Sequence, residues 1–425
     1  QAQAQPLPPL DAGIAQVSAG MWHTCAVTTA GAAWCWGEND EGQLGDGSTT
    51  PSDVPVAVSG LPTGTALAAI APGNGHTCAL TTTGDVYCWG YDSAGQLGDG
   101  GGISSPTPLR VDGLGGPASA IAVGTNRSCA IVGGALYCWG QNWQGQLGDG
   151  TTNSSGTPVH ISALSNVTAV ALGQAHSCAI AGGTVYCWGS NGDGRVGVGD
   201  GVTARFTTPQ PLTGLTGATA LGAGSAHTCA LMGDGGVQCW GDGAKGQLGN
   251  GVQASQSAPV AVSGLAGASA LAVGSQHACA LVGGALRCWG NDDSGQLGAG
   301  EHGSSAARST PVVTVGLTGV SAISAGDNHI CALTGSGPVR CWGDGYSGQL
   351  GDGFTQADTA SDTLRDTPPW LPQTITFADP GAQAVGTPLL LAATASSGLP
   401  VAYGASGACS LSGGTLLHVE YVLVW

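Results

Sequence analysis

The amino-acid sequence predicts an all-β protein. The expected fold is a seven-bladed β-propeller of four-stranded antiparallel blades over residues 14–372, with a short partial β-sandwich-like C-terminal extension over 373–425. Three observations carry the prediction. Cysteines fall in seven pairs: Cys25 with Cys35, Cys78 with Cys88, Cys129 with Cys138, Cys178 with Cys187, Cys229 with Cys239, Cys279 with Cys288 and Cys331 with Cys341. Their first members follow one another at 53, 51, 49, 51, 50 and 52 residues, so one unit repeats seven times. Each unit holds four short β-rich segments bounded by Gly and Asp clusters, and none has a helical period.

The segments follow a fixed order. A stretch of small apolar residues, such as "ALAAIAPG" (66–73), leads into "HTCALT", a Gly-containing turn and "DVYCWG". A polar loop ending in "GQLGDG" comes next, and then a proline-marked segment such as "PTPLRV" (106–111) or "SAPVAV" (257–262). Proline lacks the N–H of a ladder donor, so the fourth segment fits an outer edge strand. Seven such sheets arranged radially bury their faces blade against blade; an open solenoid is the rival arrangement.

The paired cysteines stand ten apart in four units and nine apart in three. Pairing each cysteine opposite its partner leaves three-residue loops in the first group: 29–31, 82–84, 233–235 and 335–337, all ending in Gly. It leaves Gly133-Gly134, Gly182-Gly183 and Gly283-Gly284 in the second. A type I turn followed by a left-handed residue accounts for the first loops, and primed two-residue turns for the second. Turn length changes while cross-strand register does not. Counting out from the two-residue turn puts the cysteines at a non-hydrogen-bonded pair, where Cα atoms lie ~4.5 Å apart, within reach of a disulfide. Seven intra-blade disulfides are expected, with buried free thiols as the alternative.

Composition bounds the compartment and the partners. Fifteen cysteines in paired spacing, with no C-x-x-C, point to an oxidising environment. The 425-residue chain carries a formal net charge of −17, 8% charged residues and a single lysine, Lys245. Such a balance repels phosphate and argues against nucleic acid or an anionic membrane surface as partner. No apolar run reaches the ~18–20 residues of a membrane span. The start "QAQAQPLPPL" lacks the basic and apolar regions of a signal peptide, and Gln1 is expected to begin an already processed chain. Three N-x-S/T triplets begin at Asn126, Asn153 and Asn166.

The unit "GNGHTCALTTTGDVYCWGYDSAGQLGDG" (73–100) resembles the regulator-of-chromosome-condensation repeat in its His-Thr-x-Ala-Leu strand, Trp-Gly pair and Gly-Gln-Leu-Gly loop. The resemblance extends over all seven units and implies a seven-bladed propeller. The added cysteines resemble secreted bacterial versions of the repeat. Nucleotide exchange on a nuclear GTPase and chromatin binding, the family's best-known activities, do not suit an acidic, disulfide-bonded chain without a basic tail. Plant ultraviolet-receptor relatives use tryptophans in Gly-Trp-Arg-His-Thr motifs; "GMWHT" (20–24) comes near and lacks the arginine. Bacterial β-lactamase inhibitors on similar propellers bind their target with the loops of one face.

Candidate sites separate into residues that recur and residues that do not. His23, His76, His176, His227, His277 and His329 open the second strand of six units, and Arg127 stands in their place in the third. They read as packing between blades, as do the seven Trp-Gly tryptophans, each with an N–H to satisfy. No metal and no cofactor is expected: the Asp-rich turns match no D-x-D-x-D-G pattern, and Asp, Asn and Gly are ordinary turn formers. The non-recurring aromatics are the candidate binding residues. Trp22 precedes a repeat histidine, and Trp143 and Tyr346 share one aligned position in the loop between third and fourth strands, with Tyr91 beside that position. Arg195, in "GRVGVGDG" (194–201), replaces the usual glutamine and is a further candidate. No nucleophile–base constellation or phosphate loop is found, and a non-enzyme is expected.

At the ends, 1–13 is expected to contribute a blade-closing strand, since "QPLPPL" resembles fourth-strand segments such as "DTPPWL" (366–371). The stretch after Pro372 looks like the start of a bacterial immunoglobulin-like module, too short for a sandwich of about 100 residues. Cys409 lacks the partner expected further on, so either the module is truncated or another chain completes it, with self-association through Cys409 and the C-terminal strands. The functional expectation is a secreted or cell-surface, non-enzymatic scaffold binding a protein or glycan through propeller-face loops. An inhibitor of a secreted enzyme and a structural subunit of an extracellular assembly are the alternatives.

Overall fold

A computed structural model describes residues 13–199, 203–300, 307–335, 339–353 and 355, together with the backbone of short strands from residue 365 onward. Seven four-stranded antiparallel sheets follow one another along the chain, each with its strands in sequence order, and no helix occurs among the described residues. The first strands run Ile14–Ala19, Leu67–Pro72, Ala118–Val123, Val167–Leu172, Ala218–Ala223, Ala268–Val273 and Val320–Ala325. Each touches the first strand of the next sheet, and Ile14–Ala19 touches Val320–Ala325. First strands therefore line the axis and the ring is closed. These seven sheets are the blades of a β-propeller.

The fourth strand is the outer edge, and every one whose side chains are described carries proline, from Pro55 in Ser52–Ala57 to Pro311 in Arg308–Val313. Blade 7 takes its fourth strand from Arg365–Asp366, pairing with Arg340 and Cys341. Blade 1 packs on blade 7 through side chains: Val17, Ala26 and Trp36 share a core with Leu333, Val339 and Leu350. The expectation of a closing strand from 1–13 falls outside the described residues.

The hairpins follow the cysteine arithmetic. Across the three-residue loops, Cys25 pairs in register with Cys35, Cys78 with Cys88, Cys229 with Cys239 and Cys331 with Cys341. Across the two-residue turns, Cys129 pairs with Cys138, Cys178 with Cys187 and Cys279 with Cys288. Gly133 and Gly134 have φ of 55° and 81°, as a type I′ turn needs, and Gly84, ending a three-residue loop, has φ of 88°. Residues 336–338 of the seventh turn lie outside the description. Each of the seven pairs is joined by a disulfide with a Cα–Cα distance of 4.1 Å, so the alternative of buried free thiols is set aside at all of them. That distance is close to the ~4.5 Å of a non-hydrogen-bonded antiparallel pair, as the register count requires.

The chain divides into two compact units, Asp11–Pro368 and Gln1–Leu10 with Pro369–Trp425. The second holds short antiparallel pairs: Ile375–Phe377 with Ala393–Ala395, Leu389–Leu390 with Thr415–Leu416, and Tyr403–Ala405 with Val422–Val424. Cys409 lies outside the described residues.

Candidate functional site

Two repeating devices hold the blades in register and so fix the loops. In the first, the glutamine of each Gly-Gln-Leu-Gly loop is buried and its backbone carbonyl reaches the next blade. Gln43 O accepts Trp89 Nε1–H at 2.9 Å, Gln146 O accepts Trp188 Nε1–H at 2.9 Å, and Gln349 O closes the ring by accepting Trp36 Nε1–H at 2.9 Å. The glycine two residues on lets the indole approach. A Cβ at Gly148, whose φ is +89°, would stand 2.6 Å from Trp188 Nε1.

In the second device, the histidine of one blade meets a hydroxyl of the next. His23 Nε2 lies 2.7 Å from Thr77 Oγ1, and Thr77 Oγ1 donates to Gln43 O at 2.8 Å. The hydroxyl has one proton and spends it on the carbonyl, so the imidazole is neutral with its proton on Nε2. The same pairing joins His76 to Ser128, His176 to Thr228, and His329 to Thr24. Burial pushes His23, His76, His277 and His329 down to about 3. It pushes His227 to about 4, where a backbone contact with Ser275 offsets part of the effect.

Three junctions break the pattern, two by losing the hydroxyl and one by replacing the histidine. Facing His227 and His277, the next blades present Ala278 and Ile330 in place of Ser or Thr, and the Nε2 atoms meet no hydroxyl. Arg127, fully buried, reaches deeper than a histidine: its Nη2 donates to Gly173 O at 2.9 Å, Nη1 to Gln174 O at 3.1 Å and Nε to Ser177 Oγ at 3.2 Å. Burial lowers it to about 9, so it remains cationic at neutral pH.

Because each blade is an antiparallel meander, the loops joining strands one to two and three to four share one face, and the glycine hairpins share the other. The first face collects all five candidate residues. Trp143 is 65% exposed and Tyr346 70%, both standing off the loop rim. Trp22 and Tyr91 are half-buried nearer the axis, and Trp22 O accepts the Glu38 N–H at 3.0 Å. Arg195 differs from the others. Its side chain is only 12% exposed, ion-paired with Asp193 and donating from Nη1 to Ser225 O at 3.2 Å. Its own carbonyl takes the glutamine's place, accepting Trp240 Nε1–H at 3.0 Å.

At the centre of this face the seven one-to-two loops enclose a cavity of about 360 Å³. Its edge is a ring of glycines too close for side chains: a Cβ on Gly20 would stand 2.6 Å from Gly73 O, and one on Gly73 2.5 Å from Gly124 O. After each glycine comes the residue that lines the mouth: Met21, Asn74, Thr125, Gln174, Ser225, Ser275 and Asp327. Sequence reasoning missed this ring, since only serine recurs there, at two of the seven positions. The signal available was the variable position next to an invariant glycine in G-x-x-H/R. Asp327 is the one ionisable group among the seven. Burial holds its carboxyl above the usual range; a hydrogen bond with Ser275 opposes this, and Asp344 adds to it.

The aspartate-rich loops work as turn locks. Asp92 accepts Leu97 N–H at 2.8 Å and Gly102 N–H at 2.7 Å, while Asn39 at the aligned position accepts Leu44 N–H at 2.9 Å. Asp293 pairs with Lys245 at 3.0 Å.

The family model described as the RCC1-like domain matches residues 1–280, and models of the regulator of chromosome condensation (RCC1) repeat match 284–333 and 320–349. The chain belongs to the RCC1-like domain family. This RCC1-like propeller is 42% identical over 94 residues to the protein RCC2 homolog of Danio rerio, covering 21% of this chain and 19% of that protein. It is 40% identical over 103 residues to the ultraviolet-B receptor UVR8 of Arabidopsis thaliana, covering 24% and 23%. The match thus spans less than a quarter of each relative. Among solved structures, yeast RCC1 (Prp20) bound to Kap60 superposes with a TM-score of 0.69 at 21% identity, over 88% of this chain and 92% of that one. Human WBSCR16 gives 0.68 at 23% identity, over 76% and 86%. At these identities the likeness is one of fold.

Proposed function

We propose that this RCC1-like chain is a non-enzymatic protein-binding scaffold that works in an oxidising, extracellular setting and grips its partner with the loop face around the axial mouth. The observation that carries the reading is the exposure of Trp143 and Tyr346 on that face. Large aromatics held out from a rigid rim lose little entropy on binding and are the usual anchors of protein interfaces. The seven disulfides support the compartment, because reducing cytosol does not sustain such bonds. The fold is compatible with the role: Prp20, which shares it, has been crystallised with Kap60 bound.

The test is a pull-down from the extracellular fraction of the source cells, using the disulfide-bonded chain as bait beside a Trp143→Ala/Tyr346→Ala variant of matched melting temperature. A protein captured by the parent should be lost or greatly reduced with the variant. Equal capture by both would remove the aromatic rim from the reading, and capture of glycan in place of protein would redirect it.

A further inference from the structure

The axial mouth is built to a degree that ring closure does not require. Its lining residues are tied to one another across blades: Met21 N–H donates to Gly73 O at 2.8 Å, Gln174 N–H to Gly224 O at 3.3 Å, Ser225 N–H to Ser275 O at 3.0 Å, and Ser275 N–H to Asp327 O at 3.3 Å. A cavity of about 360 Å³ lies at the small end of ligand sites, which run ~300–1,000 Å³. Its wall mixes amide, hydroxyl and backbone groups with apolar side chains such as Met21, Val123 and Leu172, and carries a single carboxylate. Asp327 Oδ2 accepts from Asn328 Nδ2 at 3.0 Å, and none of the ion pairs among the described residues includes it. The nearby Asp344 is also acidic, and on the adjoining blade 1 the loop carries Glu38, Asp40 and Glu41. Two basic groups reach residues that line the mouth, and both are engaged from behind it: Arg195 by Asp193 and the Ser225 carbonyl, and buried Arg127 by the Gly173 and Gln174 carbonyls, on the side of the ring away from Asp327.

We propose that the axial mouth receives one basic side chain, an arginine or lysine carried on an extended loop of the partner, with the Asp327 carboxylate as its counter-ion. Ser275, bonded to Asp327 and lying against the Ser225 hydroxyl, offers a hydroxyl oxygen beside that carboxylate for one of the remaining N–H donors, which an arginine fork presents in a fixed plane. A mouth of this size suits a single side chain, its apolar wall meeting the aliphatic stem and Asp327 the charged head; the exposed aromatics of the rim lie outside it and would meet the rest of the partner. The assignment deepens the protein-binding reading of this face and rests on it.

The experiment titrates the intact, oxidised chain with fluorescein-labelled Gly-Gly-Arg-Gly-Gly, beside the same peptide with glutamate at the centre. The arginine peptide should bind at up to millimolar concentration and the glutamate peptide should not. Asp327→Asn should weaken binding about tenfold or more. Asp327→Glu, which keeps the charge, should hold it within about threefold. Asp99→Asn, removing an equal charge from the outer loop of blade 2, should leave it unchanged. No binding by folded parent protein overturns the proposal, as does an equal loss in Asp327→Asn and Asp99→Asn, which would mark general attraction to an acidic surface. Loss of a captured protein partner with the aromatic variant but not with Asp327→Asn would overturn the mouth assignment and leave the face reading standing.

Discussion

The junction between blades 5 and 6 offers a direct test of how the ring is held. His227 is buried, and the residue that would offer it a hydroxyl is Ala278, itself fully buried. At four other junctions a Thr or Ser in that position stands 2.7–2.9 Å from Nε2. Ala278→Thr should therefore install two bonds, from His227 to the hydroxyl and from the hydroxyl to Gln247 O. The latter already accepts Trp289 Nε1–H at 3.0 Å. Net values of ~0.5–1.5 kcal/mol per bond, less the cost of fitting the added atoms, give about 1–2 kcal/mol relative to Ala278→Val. Valine has nearly the same shape, so the comparison isolates the hydroxyl. Thermal unfolding of the oxidised protein should show Ala278→Thr melting about 1–3 °C above Ala278→Val. In a His227→Leu background that advantage should shrink by about 1 kcal/mol, the coupling expected of two residues in one bonded network. Equal melting of the Thr and Val variants, or the same difference with and without His227, would refute the hydroxyl relay as a source of junction stability.

Three further outcomes follow from the same geometry. Stability should fall as pH drops below about 6.5 and go on falling to about 3, because the unfolded chain binds protons there that the buried neutral histidines refuse. Each costs about 1.4 kcal/mol per pH unit in that window, and several together outweigh the opposite contribution of the raised Glu38, Asp92 and Asp327 carboxyls. Denaturation midpoints at pH 7.5 and 5 should differ accordingly, and a flat profile would contradict neutral burial. Replacing Cys178 and Cys187 together by Ala should cost ~2–3 kcal/mol and leave the other six bonds unlabelled by thiol reagent in the native protein, as read by denaturant titration and mass spectrometry. Gly148→Ala forces a Cβ against the Trp188 indole and strains a positive φ, so a loss of about 2–4 kcal/mol is expected in the same titration.

The fold was legible because the repeat is strict where packing demands it. Cysteine spacing predicted both turn types and the register, since a hairpin is local and its parity can be counted. Cys88, Cys239 and Cys288 show this: the first two lie beyond three-residue loops and the third beyond a two-residue turn, yet all face their partners squarely. The tryptophans were legible as junction residues, but their acceptor was not: Gln43 and Trp89 are 46 positions apart, and the contact exists only once two blades meet. Arg195 looked like a specificity feature because its side chain departs from the glutamine pattern. In the structure the repeat uses that position through its backbone carbonyl, so the side chain was free to change and turned inward to Ser225. The mouth escaped notice for the converse reason, as Met21, Thr125 and Asp327 share a place and no chemistry.

Every disulfide among the described residues closes a hairpin within one blade, and none of these seven joins a blade to its neighbour. Around its circumference the blades are joined by the connecting chain and by hydrogen bonds and packing. Pulled from its ends, such a molecule should yield blade by blade, each release shortened by a covalently locked loop. Nine or ten residues at about 3.4 Å each hold back roughly 30 Å of chain per blade until a reductant reaches the sulfurs. The protein is thus built as a string of short-circuited loops, compliant between blades and inextensible at the heart of each one.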